Sequence, residues 1–312
     1  MRKAILFYNP LSGRRSGHRL ADIEAALSVL QSAGVEASTA PTRAASDATD
    51  QTKQALADGC DTVFACGGDG TIHDVLQGLV GTHAALAIIP LGTANSLAHD
   101  LRLPLSPEDA VRAALTAKPR RIAVGQIEYQ DFSGERATRY FTVTVGIGMD
   151  ARVFYELDPL AKRRFGMAAY CVKATGLWLT HKMENFIVEI KEGGKTRQTE
   201  VSQLLAVRIG NFGGVLRKLA PEASLDRDEL RFVLFQTHSR LAYLRYVLRG
   251  LFGTQWRVPG IELASGSAAV CRDAASSTEA KSRILVEADG ELLGTLPATI
   301  AMVRDAVSLL AP

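Results

Sequence analysis

The sequence predicts two domains: an α/β domain with a parallel sheet, then a domain built on an antiparallel sheet or sandwich. In the first 120 residues, short apolar runs alternate with segments of helical periodicity, which is the pattern of a parallel sheet covered by helices. From about Ile122 the period changes to runs rich in β-branched and aromatic residues. The length of 312 residues fits two domains of roughly 150 residues each.

The elements of the first half follow from apolar periodicity and from residues that favour helix ends. The first helix is predicted between Ser16 as N-cap and Gly34 as the stop, and another begins at Ser106, which precedes a first-turn proline and two first-turn acids. The predicted apolar face of the first helix consists of Leu20, Ile23, Leu27 and Leu30. The predicted strands are 4–8, 35–39, 61–66 and 86–90, with further helices at about 46–59, at 72–79 and from about 94.

The second half is predicted to be rich in strands. Gly193 and Gly194 separate two strand-like segments and are typical of a two-residue hairpin turn. The predicted strands include 140–145, 186–190, 204–209 and 230–235, and helix-like insertions lie at about 161–180 and 239–253. The domain boundary is therefore placed near residue 122.

Composition narrows the class of protein. The content of 47% hydrophobic and 22% charged residues disfavours disordered, collagen-like and integral-membrane chains. The net charge of +3 is too small to predict a nucleic-acid partner. The apolar run at 4–8 is too short for a signal peptide, so we expect a cytoplasmic protein that can still touch a membrane. The four cysteines have no CxxC spacing, which favours reduced, buried thiols.

Three glycine-containing loops stand where strands of the first half should end. They are Asn-Pro-Leu-Ser-Gly at 9–13, Gly-Gly-Asp-Gly-Thr at 67–71 and Pro-Leu-Gly-Thr-Ala-Asn at 90–95. In an open parallel sheet, ligands bind at the carboxyl ends of the strands, and glycines let the backbone approach a phosphate. Neither the dinucleotide fingerprint nor the P-loop sequence occurs, so the loops predict phosphate binding without a P-loop.

Asp69 stands between the glycines of the second loop. A carboxylate beside bound phosphates is repelled unless a cation lies between them, so Asp69 is predicted to hold Mg²⁺, directly or through water. The alternative is a structural role as the N-cap of the following helix, and the two roles are compatible.

These loops belong to a longer series of motifs in the same order. The others are Gly-Ile-Gly-Met-Asp-Ala at 146–151, Asn-Phe-Gly-Gly at 211–214, Ala-Pro-Glu-Ala at 220–223 and Asp-Gly-Glu at 289–291. The set resembles the diacylglycerol kinase catalytic-domain family, which includes bacterial lipid kinases and the sphingosine and ceramide kinases. The second loop alone is also similar to NAD kinases and phosphofructokinases, but the whole set, from residue 9 to 291, is specific.

The resemblance implies a Rossmann-like α/β nucleotide domain at 1–122, completed by about 298–312, and a β-sandwich lipid-binding domain at 123–297, with the active site between them. It also implies ATP and Mg²⁺ as cofactors. The ATP-binding residues that it implies are Asn9, Pro10, Ser12, Gly13, Thr42, Gly67, Gly68, Asp69, Gly70, Thr71, Gly92, Thr93 and Asn95.

The resemblance assigns proton transfer to Asp289 and Glu291. There is also a physical reason for a carboxylate in this role, because a lipid alcohol is a poor nucleophile until a positioned base accepts its proton. Without the resemblance, Asp-Gly-Glu would be an ordinary hairpin turn.

The chain departs from the family pattern at three places. Many members have an aspartate where this chain has Ser96, and another where it has Ala123, so the metal is expected to be held mainly by Asp69 and the nucleotide. The serine at 96 slightly favours a sphingoid or ceramide acceptor, because sphingosine kinases also lack that acid. A structural metal loop of the family is altered around Asp226 and Asp228, which leaves open whether that site survives.

Two helical segments of the second half are candidates for membrane contact. Segment 239–253 predicts a helix with a leucine-rich face bordered by Arg240, Arg245 and Arg249. Segment 160–184 interleaves five basic residues with aromatic ones. Both are also compatible with ordinary core-packing helices, so peripheral contact with an anionic membrane is a hypothesis.

The sequence therefore predicts an ATP-dependent, Mg²⁺-requiring kinase that phosphorylates the hydroxyl of a diacylglycerol-like or sphingoid/ceramide-like lipid. Two alternatives stay open: a kinase of a soluble acceptor, related to NAD kinase, and a regulator that binds nucleotide or lipid without catalysis.

Overall fold

The chain folds into two compact units in the computed structural model. The structure describes residues 1–10, 18–42, 47–158, 167–213, 219–253, 257–274 and 282–312. Unit 1 comprises 1–123 with 304–312, and unit 2 comprises 124–303. The sequence placed the boundary after residue 122 and the return to the first unit at about residue 298.

Unit 1 is a parallel sheet with helices. Its strands are β1 (Lys3–Tyr8), β2 (Glu36–Pro41), β3 (Thr62–Gly67), β4 (Ala85–Pro90) and the end of the last strand, β15 (Glu291–Leu309). They are ordered β15-β4-β3-β1-β2, and every pairing is parallel. The helices are α1 (Arg19–Ser32), α2 (Asp47–Ala57), α3 (Asp69–Leu79), α4 (Ser96–Asp100) and α5 (Pro107–Thr116).

Most predicted boundaries in unit 1 lie close to the observed ones. Every residue of β3 and of β4 is buried, as expected for central parallel strands. Ser106 caps α5 as predicted, accepting a hydrogen bond from the Asp109 amide over 3.3 Å. Gly34 follows the end of α1 with a φ of +77°, a conformation that favours glycine. The predicted N-cap Ser16 lies outside the described residues.

The predicted apolar face of α1 is confirmed at Ile23 and Leu30 and wrong at Leu20. Leu20 is 60% exposed, and the buried residues of this helix are Arg19, Ile23, Ala26 and Leu30. An arginine on the buried face was not anticipated, because arginine normally marks the solvent side of a helix.

Unit 2 is an antiparallel β structure. Its strands are β5 (Arg120–Gln130, which starts in unit 1), β6 (Arg136–Phe141), β7 (Thr144–Gly148), β8 (Phe186–Glu192), β9 (Lys195–Val201), β10 (Gln203–Val207), β11 (Leu230–Phe235), β12 (Ile261–Gly266), β13 (Ala268–Asp273), β14 (Leu285–Ala288) and the first part of β15. Its helices are α6 (Met149–Glu156), α7 (Met167–Thr180) and α8 (Arg240–Phe252).

Strand β15 connects the two sets of strands of unit 2. One set runs β12-β11-β10-β7-β14-β15, and β15 also pairs with β13 and β5. Strand β13 continues to β8 and β9, while β5 continues to β6. Apolar residues of both sets form one buried core, including Phe141, Phe186 and Phe232. This is the antiparallel sandwich that the sequence predicted.

Two details of unit 2 test the predicted turns. Gly193 and Gly194 have φ of +54° and +82° between β8 and β9, which confirms the two-residue hairpin. The predicted strand 140–145 is instead two strands, β6 and β7, interrupted at residues 142–143.

Three described cysteines, Cys60, Cys66 and Cys271, are free and buried, as expected. Across the described ranges, no helix has the length and apolar character needed to span a membrane.

Candidate active site

The second and third glycine loops touch each other at the carboxyl ends of adjacent strands. Gly67 ends β3, Gly68 is the N-cap of α3, and Leu91 and Gly92 follow β4. The Leu91 amide donates to the carbonyl of Gly67 over 2.9 Å. A Cβ atom on Gly92 would lie only 2.3 Å from the Cα atom of Gly68, so the two backbones approach as closely as glycine allows.

Asn95 shapes the third loop from within. It is buried and has a φ of +50°, a conformation that asparagine tolerates better than most residues. Its Oδ1 accepts from the Gly92 amide over 2.9 Å, and its Nδ2 donates to the Gly92 carbonyl over 3.1 Å. The neighbouring Thr93 is exposed. Asn95 therefore holds the loop in shape, whereas Thr93 is open to solvent.

Asp69 is the first residue of α3, and its carboxylate reaches the third loop. Its Oδ1 accepts from the Leu97 amide in the first turn of α4, over 3.4 Å. Gly68 occupies the N-cap position, so the alternative role of Asp69 as N-cap is wrong. Among the described residues, no cluster of three or more His, Cys, Asp or Glu side chains is arranged to hold a metal. A single half-buried carboxylate suits Mg²⁺, which commonly takes one or two carboxylates together with phosphate oxygens and water.

The remaining predicted phosphate-binding residues lie along the same edge of the parallel sheet. Asn9 and Pro10 follow β1, and the buried Thr42 follows β2, where its amide donates to the Tyr8 carbonyl over 2.8 Å. Gly70 and Thr71 lie in the first turn of α3. The predicted residues Ser12 and Gly13 lie outside the described residues.

Arg19 supports this edge and was missed by the sequence analysis. It is buried, and its Nη2 donates to the Leu91 carbonyl over 2.8 Å. The guanidinium thus ties the start of α1 to the loop that carries Gly92. The signal was present in the spacing of residues 19, 23, 26 and 30, which places an arginine on the apolar face of the helix.

In unit 2, Asp-Gly-Glu forms the hairpin between β14 and β15. Asp289 and Gly290 have φ of +49° and +83°, and Ala288 pairs with Glu291 across the turn. The carboxylate of Asp289 accepts from three successive backbone amides, those of residues 142, 143 and 144, over 2.9, 2.9 and 3.0 Å. These bonds explain the break between β6 and β7. Asp289 is buried, whereas Glu291 is exposed at the first position of β15.

This geometry separates the two carboxylates that were predicted to act as a pair. Both oxygens of Asp289 already accept backbone hydrogen bonds, which makes that residue the anchor of the turn. Glu291 lies on the solvent side of the turn.

The comparisons with known proteins cover both units. Residues 3–127 match the diacylglycerol kinase catalytic domain, and residues 143–311 match the YegS C-terminal NAD kinase beta sandwich-like domain. A diacylglycerol kinase of Bacillus subtilis is 32% identical over 259 residues, covering 81% of this chain and 80% of that protein. The chain belongs to the diacylglycerol kinase family.

Solved structures agree with this fold. The crystal structure of a diacylglycerol kinase from Bacillus anthracis superposes with a TM-score of 0.71 at 19% identity, covering 100% of this kinase and 97% of that chain. Yeast NADH kinase complexed with NADH gives a TM-score of 0.53 at 10% identity, covering 100% of this chain and 84% of that one. The α/β unit followed by a β-sandwich is therefore the fold of this kinase.

In this kinase the side chain of an arginine from elsewhere in the chain fills the loop where the family pattern has a structural metal. Arg208 is fully buried and directs its guanidinium at loop 224–229. Its two terminal nitrogens donate to the backbone carbonyls of residues 224, 225, 227 and 229 over 3.3, 3.2, 2.7 and 3.0 Å. These carbonyl oxygens are the ligands that a hard cation would need. The loop around Asp226 and Asp228 thus closes on an internal cation, and the residues do not fit a metal site.

Replacement of this arginine should destabilise the kinase, while chelation should not. We expect Arg208→Met to lower the melting temperature by about 6–12 °C, because four backbone carbonyls lose the donor that a buried guanidinium supplies. The matched control is Arg272→Met, which removes an ion pair with Glu189 at the surface. This change should alter the melting temperature little. A calorimetric scan in which EDTA destabilises the wild type as much as the Arg208 substitution does would contradict this assignment.

The predicted membrane contact by Arg249 is wrong. This side chain is only 6% exposed, and its guanidinium lies 5.1 Å from the centre of the Tyr246 ring. Arg240 and Arg245 are exposed on α8 as predicted. The Trp178 indole of α7 donates to the Arg240 carbonyl over 3.0 Å, so α7 and α8 are joined. Among the side chains that the structure describes, the large exposed apolar ones of these two helices are Val172, Leu179, Leu241, Leu244, Val247 and Phe252.

Unit 2 also contains a cavity of about 430 Å³. It lies at the start of α6. It also borders the first residue of β14, at the end of that strand that is farther from the Asp-Gly turn. The lining includes the apolar Met149, Met183, Ile284 and Leu285, together with Arg152. This volume is within the range of small-molecule pockets.

Proposed function

We propose that this kinase transfers the γ-phosphoryl group of ATP to the hydroxyl of a diacylglycerol-like lipid. The observation that carries the proposal is the contact between Gly68 and Gly92 at the carboxyl edge of the parallel sheet. Two bare backbones beside the N-terminus of the 11-residue helix α3 form a surface that suits triphosphate oxygens. The relatives named diacylglycerol kinase support the lipid acceptor.

The proposal gives three carboxylates different roles. Asp69 would hold Mg²⁺, which would neutralise charge on the phosphate oxygens when bound. Glu291 accepts the proton of the lipid hydroxyl while the hydroxyl oxygen forms a bond to the γ-phosphorus of ATP. The bond between this phosphorus and the oxygen that bridges it to the β-phosphate breaks, and ADP is released. Asp289 holds the turn from which Glu291 extends. Thr93 is exposed in the third loop and contacts the nucleotide.

An acceptor with acyl chains suits the apolar features of unit 2. The cavity beside Met149 and Leu285 offers an apolar lining. The exposed apolar side chains of α7 and α8 form a surface that includes Phe252, which is 72% exposed. A surface of this kind, bordered by arginines, suits the interface of an anionic bilayer. We therefore include peripheral membrane contact in the proposal.

An assay with radiolabelled ATP tests the proposed reaction. The wild type should phosphorylate diacylglycerol in a Mg²⁺-dependent manner, and ceramide, sphingosine and phosphatidylglycerol should be poorer acceptors. The Asp69→Asn protein, purified in parallel, controls for contaminating kinases. Transfer to NAD in place of every lipid would identify the soluble-acceptor alternative. Absence of transfer to any acceptor by a folded protein that binds ATP would favour the regulator.

Charge reversal on α8 should weaken vesicle binding. We expect Arg240→Glu/Arg245→Glu to reduce partition into phosphatidylcholine vesicles containing phosphatidylglycerol by at least about 30-fold, since each basic residue contributes about 1 kcal/mol near an anionic surface. The control Arg136→Glu/Lys195→Glu makes the same change in charge at exposed sites on β6 and β9. Equal co-sedimentation of the two variants would show that α8 is not the docking surface.

A further inference from the structure

Two carboxyl groups, one buried and one half-buried, lie beside the Asp-Gly turn of unit 2. Glu287, on β14, is 0% exposed, and Asp150 is the second residue of α6. Both reach the space above Gly146 of β7. A Cβ atom there would lie 2.3 Å from Asp150 Oδ2 and 2.6 Å from Glu287 Oε1. Glycine at 146 therefore makes room for the two carboxyl groups to meet.

One oxygen of each carboxyl group has a donor. The Tyr170 hydroxyl donates to Asp150 Oδ1 over 2.5 Å, and the Gly290 amide donates to Glu287 Oε2 over 2.8 Å. The other two oxygens, Asp150 Oδ2 and Glu287 Oε1, border the same space above Gly146, and Oε1 is buried with no donor among the described residues. An ionised carboxylate only accepts hydrogen bonds, so a hydrogen bond between the two groups requires a proton on one of them.

The surroundings favour retention of that proton. Burial raises the pKa of Asp150, and burial together with the charge of Asp150 raises the pKa of Glu287 well above its usual value. The negative charge of Asp289 acts in the same direction on Glu287. In the described part of the chain, neither Asp150 nor Glu287 forms an ion pair, although Arg152 and Lys173 nearby both pair with Glu156. The doubly ionised state is therefore strongly disfavoured.

The pair acts on the proposed catalytic residue through the backbone. Glu287 accepts from the amide of Gly290, which immediately precedes Glu291. Asp289 anchors the other side of the same turn through the amides of residues 142–144. The turn is thus held by two carboxyl groups, and repulsion between Asp150 and Glu287 would move the Gly290 peptide.

We propose that Asp150 and Glu287 are positioning residues that share one proton and fix, through the Gly290 amide, the backbone that presents Glu291. The part of this proposal that concerns turnover rests on the proposed function. The shared proton and the fixed turn are properties of the folded chain and can be measured without any substrate.

Substitution by the neutral amide is the central experiment. Glutamine imitates the protonated acid, because its oxygen can accept from Gly290 while its amide group donates to Asp150. Glu287→Gln should therefore keep kcat for lipid phosphorylation within about threefold, whereas Glu287→Ala should lower kcat about tenfold or more with little change in KM for ATP. Hydrogen exchange of the Gly290 amide should be slow in the wild type and the glutamine variant, and fast in the alanine variant.

The pH dependence of stability has a predicted sign. Because the folded-state pKa of Glu287 lies above its unfolded value, the wild type loses stability as pH rises from the unfolded pKa toward the folded one. The amide in Glu287→Gln does not titrate. The melting temperature of this variant, measured relative to that of the wild type, should therefore rise as pH increases from about 5 to about 9. Glu128→Gln, at an exposed position of β5, is the control and should show no such trend.

Infrared spectroscopy tests the proton directly. The carbonyl stretch of a protonated carboxyl group should be present in the wild type at neutral pH and absent from both Glu287→Gln and Asp150→Asn. Absence of this band in the wild type would overturn the shared proton. If the glutamine and alanine variants lost kcat and Gly290 protection equally while folded, the positioning role would be overturned. A wild type that shows the band and the slow amide but phosphorylates no lipid would instead contradict the proposed function.

Discussion

Glu291→Gln should lower kcat for phosphoryl transfer by about 10²- to 10⁴-fold, because it removes the group that accepts the proton of the hydroxyl. The side chain is exposed at the start of β15, so the melting temperature should stay within a degree or two of the wild type. The KM for ATP should change little, since the glycine loops belong to unit 1. Steady-state kinetics and calorimetry on the same preparation measure both effects.

Asp289→Asn is the matched comparison, two residues away. An asparagine keeps one oxygen for the amides of residues 142–144 and turns an NH₂ group toward them, so charged hydrogen bonds worth about 1.5–3 kcal/mol each are lost. We expect a melting temperature about 6–10 °C below the wild type. If Glu291→Gln lowered the melting temperature as much, or left turnover normal, the division of roles between the two carboxylates would be refuted.

Gly92→Ala should lower kcat/KM for ATP by about 100-fold. The added methyl group would lie 2.3 Å from the Cα atom of Gly68 and 2.6 Å from Oδ1 of Asn95, so the backbones of the two loops must separate. A displacement of about 1 Å in a site that positions phosphates is enough for a loss of this size. Nucleotide binding by calorimetry should show the same loss in the absence of lipid.

The control for this substitution is Gly176→Ala on α7. An added Cβ atom at Gly176 meets nothing within 4 Å, and alanine favours the helix. It should therefore leave ATP binding unchanged and stabilise the protein slightly. Unaltered nucleotide affinity in Gly92→Ala would show that the contact between the two glycine loops does not form the phosphate site.

The sequence identified features that depend on local patterns. The loops at 67–71 and 90–95 follow buried strands, and strand ends in a parallel sheet share one edge, so their proximity could be predicted without coordinates. The Asp-Gly hairpin was equally accessible, because both residues favour positive φ.

Features that depend on tertiary partners could not be predicted in this way. Arg249 carries a charge that normally lies in water, and its burial depends on the ring of Tyr246. For Arg19 the helical spacing gave a signal, but its carbonyl partner at residue 91 could not be predicted. The break after Phe141 arises because Asp289, about 147 positions later, takes the amides that a strand would use. The meeting of Asp150 and Glu287 likewise joins a helix and a strand that are far apart in the chain.

The course of β15 has a consequence for the order in which the protein can be completed during synthesis. Residues 304–312 belong to unit 1, and Ser308 and Leu309 pair with β4, yet they are translated after all of unit 2. Until they emerge from the ribosome, β4 is an uncovered edge of the parallel sheet of unit 1, and an uncovered apolar edge strand is a template for incorrect pairing. The two units of this kinase are thus not independent in folding, because unit 1 is synthesised first but its sheet is completed only after unit 2 has been synthesised.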